Sequence, residues 1–107
     1  MSGASFVFLI SSSHPSLRGH FPGRPIVPAV VLLDQVTTHI GAATRCVVTQ
    51  LQQVKFLQIA NPDEAIEVTW ELTDLAVTFS GVARRDNNVV QLLSGRLILR
   101  PAAGESR

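Results

Sequence analysis

A chain of 107 residues has room for one domain and a single core, with little to spare. Hydrophobic residues make up 46% and charged ones 16%, which excludes disorder and favours a well-buried chain or an obligate oligomer. A net charge of +1 carries no electrostatic footprint for nucleic acid, and no apolar run is long enough for membrane insertion.

In chain order, "SFVFLI" (5–10) is rich in β-formers, is bounded by three serines and predicts the first strand. It lacks the basic start of a signal peptide. Residues 11–28 read as a loop punctuated by Pro15, Gly19, Pro22, Gly23, Pro25 and Pro28. Pro28 suits the first position of a helix, where a missing N–H and a fixed φ do no harm. That helix is predicted over 29–40, with Gly41 near its end. Its first residues, Ala29, Val30, Val31, Leu32 and Leu33, are apolar on all sides, so other structure should wrap it. Cys46 follows, the single cysteine. It excludes an intrachain disulfide and a cysteine-based metal site, and fits a soluble protein of the reducing cytoplasm.

Segment 47–60 alternates less clearly and reads as a strand pair or one long bent strand, closed by Asn61-Pro62-Asp63. "IEVTWELT" (66–73) alternates strictly, with Ile66, Val68, Trp70 and Leu72 on one face. Strands at 75–85 and 89–100 flank "DNN" (86–88), whose asparagines suit a tight hairpin turn with positive φ. The expected fold is therefore α+β: about five strands, mostly an antiparallel meander after the helix, curled around one central helix. Exposed sheet edges and small size favour pairing with a second copy.

The chemistry concentrates in "RGHFPGRPIVPAVVLLDQV" (18–36). A helix starting at Pro28 leaves the N–H groups of Ala29 and Val30 without intrahelical partners, at the positive end of the dipole. Such an end suits an anion, or a carbonyl oxygen that becomes anionic during reaction. His20 lies just upstream in a stiff loop and is a candidate general base. Asp34, inside the apolar helix, is expected to be buried, with a raised pKa or a partner, and is a candidate general acid. Taken singly, each feature has a structural explanation. Together they suit proton abstraction beside a carbonyl with loss of a neighbouring hydroxyl, without choosing that reaction over others. His14 reads as structural or exposed. His39, five residues after Asp34, is off the spacing for a side-chain partnership with it.

"GHFPGRPIVPAVVLLDQ" (19–35) resembles the active-site segment of the hot-dog-fold 3-hydroxyacyl-acyl carrier protein dehydratases. That segment reads H-F-P-x-x-P-x-x-P-G, followed by an acid on the central helix. His20, Phe21, Pro22, Pro25 and Pro28 match, and Asp34 falls fourteen residues after His20, the family's spacing for its Asp or Glu. "VKFLQIANPDEAIEV" (54–68) also looks like the family's strand-turn-strand segment. The short length and "HPSLRGHFPGRP" look most like the small dehydratases, including those of aryl polyene pathways. One position departs: Ala29 stands where the family has glycine.

The resemblance implies a single hot-dog domain over 1–107 that works as a dimer, with His20 of one subunit facing Asp34 of the other. His20 would take a proton from C2 of the 3-hydroxyacyl thioester. Asp34, directly or through water, would protonate the departing C3 hydroxyl, while N–H groups near Ala29 and Val30 hold the thioester oxygen. The product would be a trans-2-enoyl thioester, made on acyl carrier protein without metal or cofactor. Val31, Leu32, Leu33 and Phe56 would line an acyl tunnel. The dimer could be a homodimer or a heterodimer with another hot-dog subunit. Ala29 keeps two other readings open: a weak or inactive subunit supporting an active dehydratase, and a thioesterase on the same fold.

Overall fold

The computed structural model describes residues 2–17 and 26–102. Its elements are β1 (Ser2–Phe8), a short 3-10 turn at Pro15–Leu17, α1 (Ala29–Thr44), β2 (Cys46–Phe56), β3 (Ile66–Thr73), β4 (Ala76–Arg85) and β5 (Asn88–Pro101). The strands form one antiparallel sheet in the order β1-β3-β4-β5-β2, and α1 packs on one of its faces. This is the α+β architecture expected from the residue pattern, in the hot-dog arrangement that the resemblance implies.

Alternation places the core. β3 buries Ile66 and Val68, β4 buries Val77, Phe79 and Ala83, and β5 buries Leu93, Leu97 and Leu99 on the face that meets Leu32, Val36 and Ile40 of α1. Each larger side chain among them contributes about 1.5–3 kcal/mol by leaving water. Gly81 lets β4 and β5 close over this core, because a Cβ there would come within 2.6 Å of Leu93 Cδ2. The hairpin between β4 and β5 turns on Asp86 and Asn87, with φ of 49° and 70°. Paired positive φ values are what a two-residue turn between right-twisted strands requires.

Two expectations shift, and for segment 47–60 one of two alternatives holds. The helix runs on to Thr44 and ends at Arg45 in the left-handed region, φ 57°, so Gly41 lies inside it. A Cβ at Gly41 would sit 3.2 Å from the Cys46 carbonyl oxygen, which accounts for a glycine where the chain folds back into β2. Segment 47–60 holds one long irregular strand. β2 slips register between Val48 and Gln50 and between Gln52 and Lys55, with Gln53 at φ 53°. Finally, the meander covers β3, β4 and β5, whereas β2 crosses to the far edge beside β5.

The helix buries one side. Leu32, Val36 and Ile40 are 2%, 0% and 0% exposed, while Val30 is 71% exposed. No helix among the described residues is long and apolar enough to cross a membrane.

Candidate functional site

The site is built around the start of α1. Val27 is fixed first: its N–H donates to the Ala60 carbonyl at 3.1 Å, in an isolated antiparallel bridge that buries both residues. Pro28 follows as the N-cap, one residue earlier than expected, because its ψ of 142° is still extended. The Pro28 carbonyl accepts from the N–H groups of Val31 and Leu32, at 3.0 and 3.4 Å. No side chain among the described residues caps this end. The N–H groups of Ala29 and Val30 therefore have no hydrogen-bond partner among the described residues. They form a ready donor pair at the positive end of the helix.

An apolar groove of about 510 Å³ opens beside these donors. Pro28, Ala29 and Leu32 form one wall, and Phe56, Leu57 and Ile59 form much of the other. Phe56, Leu57 and Ile59 are each about half exposed, at 45%, 45% and 51%. The volume suits a small organic ligand or a short acyl chain. Of the four residues expected to line an acyl tunnel, Leu32 and Phe56 line this groove, and Val31 and Leu33 are not part of its lining. A second depression of about 520 Å³ lies among Val7, Glu64, Ala65, Glu67, Val82 and Arg84, none of them a candidate site residue from the sequence.

Asp34 corrects an expectation. It is exposed in the single chain, and no side chain among the described residues bonds to its carboxylate. At about 100° per residue, Asp34 sits roughly 200° around the helix from Leu32, so it points away from this groove. His39 does not partner it either. The imidazole stacks on Phe6 of β1, with centroids 4.4 Å apart and planes at 18°. His20 lies outside the described residues, as does the rest of 18–25. No cluster of three or more His, Cys, Asp or Glu side chains suited to a metal occurs among the described residues.

Sequence reading missed the support of the far wall. Arg85, at the end of β4, donates from Nε to Glu64 Oε2 at 2.6 Å and from Nη2 to Glu64 Oε1 at 2.7 Å. The same Nη2 donates to the Ile59 carbonyl at 2.6 Å. The Arg85 guanidinium holds the Glu64 carboxyl below the usual carboxylate range, and the Asn61 N–H adds to the effect against partial desolvation. The available signal was the arginine beside a hairpin turn, which alone does not name its partner.

Residues 2–94 match the family model described as ApeI-like, ApeI dehydratase. The 3-hydroxyacyl-[acyl-carrier-protein] dehydratase FabZ of Cronobacter sakazakii is 35% identical, over 76% of this chain and 63% of that protein. The FabZ of Klebsiella pneumoniae is 34% identical with the same coverage. The chain thus spans just under two thirds of the length of these curated relatives. Among solved structures, an uncharacterized protein from Erwinia carotovora subsp. atroseptica has a TM-score of 0.80 at 21% identity, covering 92% of this chain and 83% of that one. The dehydratase heterocomplex ApeI:P from Xenorhabdus doucetiae has a TM-score of 0.75 at 20% identity, covering 91% and 86%. At such identities these two speak for the fold.

Proposed function

The chain belongs to the ApeI-like dehydratase family, and on that premise we propose that it dehydrates a 3-hydroxyacyl thioester, carried on acyl carrier protein, to a trans-2-enoyl thioester. The observation that carries this reading is the pair of N–H groups on Ala29 and Val30, without a hydrogen-bond partner among the described residues and opening on an apolar groove. The thioester oxygen would accept from these donors while the acyl chain lies along Leu32 and Phe56. His20 removes the proton from C2, and its electron pair forms the C2=C3 bond. The C3–O bond breaks as Asp34 supplies a proton, and water leaves. Preorganised donors at the developing oxyanion are typically worth about 10²–10³-fold in rate.

Two chains complete the site in this proposal. Asp34 faces away from its own groove, so the carboxylate that serves a groove comes from a second subunit. The open side of α1 supports this pairing: Val30, 71% exposed, lies one turn from Asp34 on the same side. A covering chain would also bring Asp34 into the low-dielectric setting that a general acid needs. The partner is a second copy or another hot-dog subunit, and a cytoplasmic setting fits the free Cys46.

A second reading rests on Ala29, which lines the groove and stands where the family has glycine. It makes the chain a weak or inactive subunit that supports an active one. One assay separates the readings. Purified protein is given 3-hydroxyacyl and enoyl thioesters while enoyl absorbance and free thiol are followed. Enoyl formation supports the dehydratase, thiol release a thioesterase, and neither product the supporting subunit. Mixing separately inactive His20→Ala and Asp34→Asn proteins should regain activity, since one pairing restores an intact site. No recovery after verified subunit exchange would count against the shared site.

A further inference from the structure

The far wall of the groove is a loop with few covalent or packing constraints of its own. Leu57, Gln58 and Ile59 follow the irregular end of β2, and each is exposed. Backbone ties hold the start of this loop to β5, where the Leu92 carbonyl accepts from the N–H groups of Leu57 and Gln58 at 2.8 and 3.4 Å. Its far end is tied at the Asn61–Glu64 turn. There the Asp63 N–H donates to the Ile10 carbonyl at 2.8 Å, and the Ser12 N–H donates to Asp63 Oδ1 at 3.0 Å. Between these anchors, the Ile59 carbonyl is bound by Arg85.

We propose that Arg85 is a positioning residue that sets the width of the groove, and with it the acyl chains that fit, by gripping Ile59 and Glu64 together. This rests on the dehydratase reading for the identity of the ligand. The grip depends on arginine's shape. A planar guanidinium engages both carboxylate oxygens while one nitrogen is shared with the Ile59 carbonyl, three contacts that fix the spacing between β4 and the wall. The wall then acts in two places. Ile59 lines the groove, and the adjacent Ala60 carbonyl accepts from the Val27 N–H, one residue before Pro28. Lysine keeps the charge but offers a single mobile ammonium, so it cannot hold both partners at once.

Chain length provides the test. A 3-hydroxybutyryl thioester fills the groove near Ala29, whereas a 3-hydroxyoctanoyl thioester extends along the wall. In the full-length protein, Arg85→Lys should lower kcat/KM for the octanoyl substrate by about tenfold, mainly through KM, the range that small misfits in an apolar pocket produce. The butyryl substrate should change by less than about threefold. A loss shared equally by both substrates, or no change for either, overturns the proposal. Glu64→Gln, which weakens the grip from the other side, should shift selectivity in the same direction. Thermal melting checks that both variants are folded. Calorimetric binding of butyryl- and octanoyl-pantetheine amides gives a readout without turnover. If wild-type protein binds them yet makes no enoyl product, the dehydratase reading fails while the grip is still judged by the change in binding selectivity. Equal weakening of both amides in Arg85→Lys overturns it there too.

Discussion

The two sides of α1 repeat the same spacing and meet opposite fates. Leu32, Val36 and Ile40 recur every fourth residue and are sealed against the sheet. Val30, Asp34 and Thr38 recur at the same interval, about 200° away around the helix, and are exposed. Burial on the first side follows from three apolar side chains meeting the sheet. The second side has an apolar residue at the site end, then a carboxylate, then a hydroxyl. It is too apolar at its start to be only a solvated face, and too polar beyond to join the core. The first side holds the fold together; the second is proposed to serve a neighbouring chain.

That division predicts mutants that separate activity from stability. On the open side, Asp34→Asn should lower turnover by about 10²–10⁴-fold, the usual worth of general acid–base catalysis. Its stability should change little, because the amide fills the same space as the carboxyl. His20→Ala should show a similar loss of turnover with an intact fold. Asp34→Glu should retain much of the activity, because the family resemblance allows either acid. An active Asn variant would sink the acid role.

On the closed side the pattern should invert. Ile40→Ala should cost about 2–5 kcal/mol, read from the denaturant midpoint, because it opens a cavity in a fully buried site. Turnover per folded molecule should hold. If this variant lost activity without losing stability, the two sides would not be separate in function.

Ala29→Gly sits where the sides meet. It keeps the N–H donor and removes the methyl, so turnover on short 3-hydroxyacyl thioesters should be equal or higher. The helix should lose at most about 1 kcal/mol, seen as a slightly lower melting temperature. A clear fall in turnover at unchanged affinity would mean that the methyl positions the substrate.

The smallest effect concerns the groove wall and pH. Glu64 has its carboxyl pKa depressed in the folded chain by Arg85, so the stability it contributes is present above the ordinary glutamate pKa. That stability is lost as pH falls through the lowered folded value. Arg85, whose pKa is raised by the same partner, remains charged throughout. Wild type should therefore be more stable than Glu64→Gln near neutrality, with the difference closing as the solution is acidified. A gap that persisted unchanged at strongly acid pH would contradict the ion pair's role.

Much of this molecule was legible in its residues. Period-two alternation located β3 and β5 to within a residue or so at each end, and located Asp86 and Asn87 as a turn, because these are properties of neighbouring residues. Pro28 and the apolar run after it located the start of α1 for the same reason. The motif from His20 to Asp34 pointed to the family, although His20 itself lies outside the described residues.

Local pattern misled where the outcome depended on distant partners. Asp34 looked buried because Val31, Leu32 and Leu33 precede it, yet burial is decided by which side of the helix the sheet meets. β2 crossed to the edge beside β5 because pairing is a contact between residues far apart in the chain. The groove wall and its Arg85 grip, joining residues 59, 64 and 85, arose in the same way. Sequence by itself determined the elements and the donor end of α1, and it singled out His20 and Asp34 as the proposed acid–base pair. Only the tertiary structure decided which surfaces close on each other, since side-chain periodicity sets a residue's direction but not what it meets there.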